Sequence, residues 1–198
     1  MYPFEEDDLK LAGDLIFTLN GLELNKILRG ASHTADLQML LNGVLVAYCE
    51  LKSPRDDWLE KLLDSTKICQ IVGGGREDPV FKKIRKHANK ASKQFEAVNP
   101  KRTVPNILVF VNHDAGSDFG DLRETLTGLF HSADGNRHAT LVDISVSLER
   151  AKSQIDLFIW IDSKTCRVQG YLFNRDASPN YLNQLCMLLG KNPTAIEY

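Results

Sequence analysis

The stretch that most limits how this chain can fold runs from Ala35 to Lys52: Ala-Asp-Leu-Gln-Met-Leu-Leu-Asn-Gly-Val-Leu-Val-Ala-Tyr-Cys-Glu-Leu-Lys. Two apolar runs flank Asn42-Gly43, a strong short-range signal for a β-hairpin. Asp36 opens the first run, and Glu50 and Lys52 close the second. Residues i and i+2 of a strand point to the same face, so Glu50 and Lys52 are neighbours on one side of a sheet. A strand rich in Val, Leu and Tyr has no packing reason to end in two such charges.

Whether Asp36 joins them depends on register. A two-residue Asn42-Gly43 loop, continued without interruption, pairs Leu41 with Val44 and puts Asp36 opposite Cys49, on the wrong face. A three-residue loop, Leu41-Asn42-Gly43 with Gly43 left-handed in a G1 bulge, shifts the pairing by one. Asp36 then lies opposite Tyr48 and diagonal to Glu50. The other face becomes wholly apolar: Leu37, Met39, Leu45, Ala47, Cys49 and Leu51. This register separates polar from apolar residues better, and it is the expected one.

With 198 residues, 43% hydrophobic and 25% charged, the chain can bury a substantial core as one domain over 1–198. The net charge of -2 excludes no partner, because charge can be segregated. Cys49, Cys69, Cys166 and Cys186 are scattered, without C-x-x-C pairs or zinc-ligand spacing, which points to free thiols in a reducing, cytoplasmic setting. No apolar stretch is long enough for a membrane span, and no basic-then-apolar leader opens the chain.

Leu9, Ala12, Ile16 and Leu19 recur at helical spacing within Glu5 to Leu19, with Glu5, Glu6, Asp7 and Asp8 enriching the first turn. That acidic cluster reads as a solvated helix start, the alternative being that one acid reaches the functional site. Asn20-Gly21 can end the helix, and Leu22 to Leu28 reads as a strand. A second hairpin through Leu15 to Leu24 competes with this reading. After the first hairpin, Ser53-Pro54 breaks the strand, a helix is expected from about Arg55 to Gln70, and Gly73-Gly74-Gly75 reads as a loop. No Gly-Lys-Ser/Thr follows those glycines, so they are not a phosphate cradle.

Between Asp78 and Val98, Phe81, Ile84, Ala88, Ala91 and Phe95 form an apolar helical stripe. Lys82, Lys83, Arg85, Lys86, Lys90 and Lys93 share the remaining surface, and no acid intervenes until Glu96. Lys101 and Arg102 continue the charge. Helices made only for solubility mix signs and gain i,i+4 pairs. Six cations together make sense opposite a polyanion.

Ile107 to Val111 is a continuous apolar run, expected as a buried strand. His113 at its end reads as a loop hydrogen-bonder. Phe119 to Phe130 reads as a helix on Leu122, Leu126 and Phe130. Strands are expected at Thr140 to Val146 and Ile155 to Asp162, with a short helix through Leu148 to Ser153 between them. A hairpin through Ser163-Lys164-Thr165 leads into Cys166 to Phe173, and Tyr181 to Leu189 closes the chain as a helix ending at Gly190. The order implies an α/β (α+β) domain around one central mixed sheet flanked by helices.

Two carboxylates a few ångströms apart repel one another unless a cation lies between them. Asp36 and Glu50, with the Leu51 carbonyl as a third ligand, make a hard oxygen site suited to Mg²⁺. Lys52, two residues from one ligand, can orient or deprotonate a water or neutralise charge developing on phosphorus. The combination suits phosphodiester hydrolysis. The competing structural reading is a Glu50–Lys52 ion pair on a sheet surface, worth roughly 0–1 kcal/mol.

Asp36, thirteen residues, then Glu50-Leu51-Lys52 resembles the signature of the PD-(D/E)XK nuclease superfamily, with its restriction-endonuclease-like core. The string from Asp36 to Pro54 is especially similar to the nuclease domain of type I restriction enzyme motor subunits. The resemblance covers about Ala35 to Asp114, and 115–198 reads as a C-terminal elaboration on a core of about 1–114. It implies Asp36 and Glu50 as metal ligands, Lys52 as the catalytic lysine, and Gln94 as the helix residue that contacts the site or the nucleic acid. Ala35 stands where many relatives have Pro. Val98 stands where a Q-x-x-x-Y pattern would have Tyr, which weakens the case for Gln94.

The expectation is thus a Mg²⁺-dependent deoxyribonuclease, with Mn²⁺ able to substitute. Its partner is nucleic acid, DNA before RNA by resemblance, with backbone phosphates on Lys82, Lys83, Arg85, Lys86, Lys90 and Lys93. A homodimer is the expected state if both strands are cut, and restriction, phage defence or repair would each fit. The competing readings are a non-catalytic nucleic-acid-binding module on the same fold, and a protein-interaction domain that uses the basic helix.

Overall fold

The computed structural model describes residues 5–27, 35–54, 80–114, 116–132, 134–139, 146–174 and 177–192. The helix expected at Arg55 to Gln70, the Gly73-Gly74-Gly75 loop, Cys69 and all of the Thr140 to Val146 strand except Val146 lie outside these residues. Val146 itself begins a helix.

Helix α1 (Glu5–Ala12) continues through a π-helical turn (Gly13–Phe17) and a 3₁₀ turn (Thr18–Asn20). Gly21, at φ 67°, ends it in the left-handed region that glycine enters without a Cβ clash. The competing Leu15 to Leu24 hairpin is therefore not formed. Strands β1 (Glu23–Lys26), β2 (Leu37–Leu41) and β3 (Val44–Lys52) follow, then helix α2 (Val80–Val98) and strand β4 (Asn106–Asn112). Helix α3 (Phe119–Thr127), a small ribbon of β5 (Leu129–His131) and β6 (Arg137–Ala139), and helix α4 (Val146–Lys152) come next. The described chain closes with β7 (Leu157–Asp162), β8 (Arg167–Phe173) and helix α5 (Pro179–Leu188).

Six strands form one mixed sheet in the order β1-β2-β3-β4-β7-β8. The central pairs β3/β4 and β4/β7 are parallel, and the outer pairs are antiparallel. Every residue of β4 is buried, as expected for a continuous apolar run covered on both faces. Ile107, Val109 and Val111 pack with Ala12, Ile16 and Phe17 of the first helical segment and Leu185 and Leu188 of α5. Leu108 and Phe110 face the other way, onto Ile84, Ala88, Ala91 and Phe95 of α2, Leu122 of α3 and Leu148 of α4. The fold is mixed α/β, with helices over both faces of the sheet.

The N-terminal ends of β4 and β7 are joined by a polar staple. Asp156, fully buried, pairs with Arg102 and accepts the Asn106 amide at 2.8 Å. Desolvation raises the Asp156 carboxyl, and the Asn106 amide and Arg102 guanidinium pull it back. A site at the opposite, C-terminal ends of the parallel strands therefore rests on an anchored base.

The hairpin departs from expectation in one respect. Leu41 pairs with Val44, so the loop is the two-residue Asn42-Gly43, not the expected Leu41-Asn42-Gly43. Both residues have positive φ, 52° and 77°, the backbone signature of a type I′ turn whose twist matches that of the strands. The one-residue shift occurs instead within the ladder. Leu40 pairs with Leu45 but Met39 with Ala47, which leaves Val46 as a bulge. Leu37 then pairs with Cys49, which brings Asp36 level with Glu50 rather than with Tyr48. Val46, not Leu45, consequently packs against the core beside Leu37, Met39, Ala47 and Cys49. The helix expected to reach Phe130 stops at Thr127, with Gly128 left-handed, and Phe130 is half exposed on β5.

Candidate functional site

The bulge at Val46 sets which side chains of β3 face α2. Beyond it Ala47, Cys49 and Leu51 point to the α1 layer, and Tyr48, Glu50 and Lys52 to the α2 layer. Glu50 is fully buried and Lys52 is 8% exposed, so the pair is not the surface ion pair of the competing reading. Lys52 Nζ donates to Glu50 Oε1 and, at 3.0 Å, to Gln94 Oε1 of α2. The other Glu50 oxygen, Oε2, accepts the Asp36 backbone amide at 2.8 Å. Asp36 itself is half-buried at the start of β2.

Burial is the main cause of a Glu50 carboxyl pushed up to about 7. Lys52 draws it down by charge, the Asp36 carboxylate raises it further, and hydrogen bonds from Lys52 and the Asp36 amide lower it. The neighbouring Cys49 thiol is raised by burial and then by the charges of Glu50 and Asp36. A buried carboxylate with a second one close by, offset by one lysine, is a locus short of positive charge. That deficit suits a hard cation. Among the described residues no group of three or more His, Cys, Asp or Glu side chains is arranged to hold a metal ion. A cation at Asp36 and Glu50 would need further oxygens from backbone, water or substrate. Leu51 lies between Glu50 and Lys52 in β3, with its side chain against the core of the opposite layer.

Asp36, Glu50, Lys52 and Gln94 are thus brought together, across 42 residues of chain in the case of Lys52 and Gln94. Gln94 is 5% exposed and contacts Lys52 even though Val98 stands where a Q-x-x-x-Y pattern has Tyr. On α2 the apolar stripe faces the core, and Lys82, Lys86, Lys90 and Lys93 are exposed, with Lys83 and Arg85 half-buried.

Two features were not singled out from the sequence. His87, half-buried on α2, lies edge-on to Phe110 with ring centroids 6.4 Å apart and planes at 78°. Burial and the charges of Lys52, Lys90, Lys86 and Lys83, in that order, lower it to about 4. Its spacing of seven from Gln94, two helical turns, was the available signal. The second feature is Asp8, which is only 3% exposed rather than part of a solvated helix start. Asp8 accepts from Ser53 Oγ and contacts His113 Nε2 at 2.9 Å, while His113 Nδ1 lies 3.0 Å from Ser163 Oγ. His113 is a loop hydrogen-bonder, as expected, and it links α1 to the C-terminal ends of β4 and β7, while Asp8 reaches the end of β3 through Ser53. No helix of the described residues is long and apolar enough to cross a membrane. Comparison with protein-family models, with curated proteins and with solved structures finds no match to this chain.

Proposed function

We propose that the chain is a Mg²⁺-dependent nuclease with a restriction-endonuclease-like core, acting on DNA. The observation that carries this reading is the buried cluster of Glu50, Lys52 and Gln94 side chains at the end of β3, with half-buried Asp36 held against Glu50 through its backbone amide. Asp36 and Glu50 would hold the ion, with the Leu51 carbonyl as the third protein ligand and Mn²⁺ able to replace Mg²⁺. When bound, the ion polarises a phosphoryl oxygen and makes bound water more acidic.

The chain's own residues supply position and charge. Gln94 Oε1 fixes the Lys52 ammonium, which is then placed to orient the attacking water or offset charge developing on phosphorus. The exposed lysines of α2 hold the backbone of the nucleic acid over this face. Near-complete burial of Glu50 and Lys52 strengthens the electrostatic interactions of that pair relative to water.

The test is hydrolysis of plasmid and linear DNA with Mg²⁺ or Mn²⁺ by wild type, Asp36→Asn and Lys52→Ala. Each variant is expected to lose activity by roughly 10²-fold or more, the usual worth of a positioned acid–base group or metal ligand, while still binding DNA. Equal residual activity in all three proteins would refute the assignment. Salt-sensitive binding by the wild type without cleavage would favour the non-catalytic module.

A further inference from the structure

Lys52, Phe110 and Trp160 lie side by side across β3, β4 and β7. Helix α2 meets this row at two points seven residues apart in sequence. Gln94 meets Lys52, and two turns earlier His87 meets the ring of Phe110, the residue beside Lys52. The imidazole is therefore close enough to Lys52 to feel its charge. It is also framed by Lys83, Lys86 and Lys90, at positions i−4, i−1 and i+3 of the same helix.

We propose that His87 is a second substrate-contacting residue of this site, donating its ring N–H to phosphate oxygens next to the scissile linkage, in a bay framed by Lys52, Lys83, Lys86 and Lys90. The proposal rests on the nuclease reading and extends it to a residue outside the Asp36–Glu50–Lys52 set. Three features support it. The near-perpendicular contact with Phe110 fixes the imidazole against the sheet, and the residue is only partly buried there. Burial first, and then the charges of Lys52, Lys90, Lys86 and Lys83, keep the imidazole neutral, and those same charges favour an anion beside it. A neutral imidazole still carries one N–H donor, and a hydrogen bond to a charged acceptor is the stronger kind.

The experiment compares wild type, His87→Ala and His87→Gln, each checked for folding by circular dichroism. Oligonucleotide binding is measured in Ca²⁺, and kcat and KM are measured in Mg²⁺. His87→Ala is expected to weaken binding and raise KM about tenfold, the usual worth of one charge-assisted hydrogen bond. His87→Gln, which restores an N–H donor, is expected to recover most of that loss. Oligonucleotides carrying a single neutral methylphosphonate at successive positions locate the phosphate. At one position the wild type should lose affinity and His87→Ala should not. A matched pair with a 5′-phosphate or a 5′-hydroxyl shows whether that phosphate is terminal or internal.

A wild type that cleaves and binds, with His87→Ala equal to it or with penalties that add at every methylphosphonate position, overturns the role of His87 alone. A wild type that neither cleaves nor binds DNA at low salt overturns the nuclease reading, and this inference with it.

Discussion

Glu50 and Lys52 form a buried pair whose energetics depend on pH. The folded-state Glu50 carboxyl stands at about 7, above the 4.5 of an ordinary glutamate, so the folded protein binds more protons than the unfolded chain between those values. The resulting stability is complete below about pH 4.5 and is lost as pH rises through 7. Lys52 opposes that rise, because its charge and hydrogen bond favour the ionised form. In metal-free protein, Lys52→Met should therefore cost about 3 kcal/mol at pH 8, the usual price of leaving one partner of a buried pair alone. The cost should be clearly smaller at pH 6, where the Glu50 carboxyl is already largely protonated and needs the Lys52 charge less. Urea denaturation in EDTA at the two pH values measures this, and equal costs at both would contradict it. Glu50 and Lys52 were readable as neighbours because strand alternation is a local rule. His87 was not, since nothing near it in sequence marks Phe110, 23 positions on, as its packing partner.

The hairpin shows how an element can reach the expected side of a sheet by another route. Clean separation of polar from apolar residues requires a one-residue shift somewhere between Met39 and Ala47, and the turn is one place to put it. Asn42-Gly43 is so well suited to a type I′ turn that the loop keeps two residues, and Val46 takes the shift inside β3. Asp36 still arrives beside Glu50. A comparably tight fit joins β8 to α3. A Cβ on Gly170 would collide with the ring of Phe119, the first residue of that helix. Gly170→Ala should therefore destabilise the fold by about 1–3 kcal/mol through overpacking, read as a lower urea midpoint with an unchanged m-value. An unchanged midpoint would mean that the α3 end shifts freely. A glycine in a strand hints at close approach, but the approaching residue lies 51 positions away.

The molecule as a whole is nearly neutral, with a net charge of -2, yet α2 presents Lys82, Lys86, Lys90 and Lys93 together on its exposed surface. Binding of a polyanion should then depend steeply on salt through released counterions, with a slope set by the phosphates contacted. Replacing both Lys86 and Lys90 by Ala should reduce the steepness of log K against log salt by roughly 2, at about 0.9 per duplex phosphate contact. Fluorescence anisotropy over roughly 50 to 200 mM salt provides the check. An unchanged slope would place the nucleic acid on another surface.

Periodicity and turn chemistry were enough to mark the α2 stripe, the buried run of β4, the β7–β8 hairpin and the charged face of β3. Each follows from a repeat of two or 3.6 residues, or from a turn that two residues specify. Phe130 extends the apolar spacing of the helix over 119–127 beyond its true end, because Gly128 takes a left-handed φ of 69° and stops it. What only tertiary packing decided is the partner of each charged or polar group. α2 lies across β3 and β4 so that Gln94 meets Lys52 and His87 meets Phe110, and α1 turns Asp8 inward to Ser53 and His113. Those contacts join residues 23 to 105 positions apart. Local patterning places a residue on the face of its own element, and only the packing of elements against one another determines what that face meets.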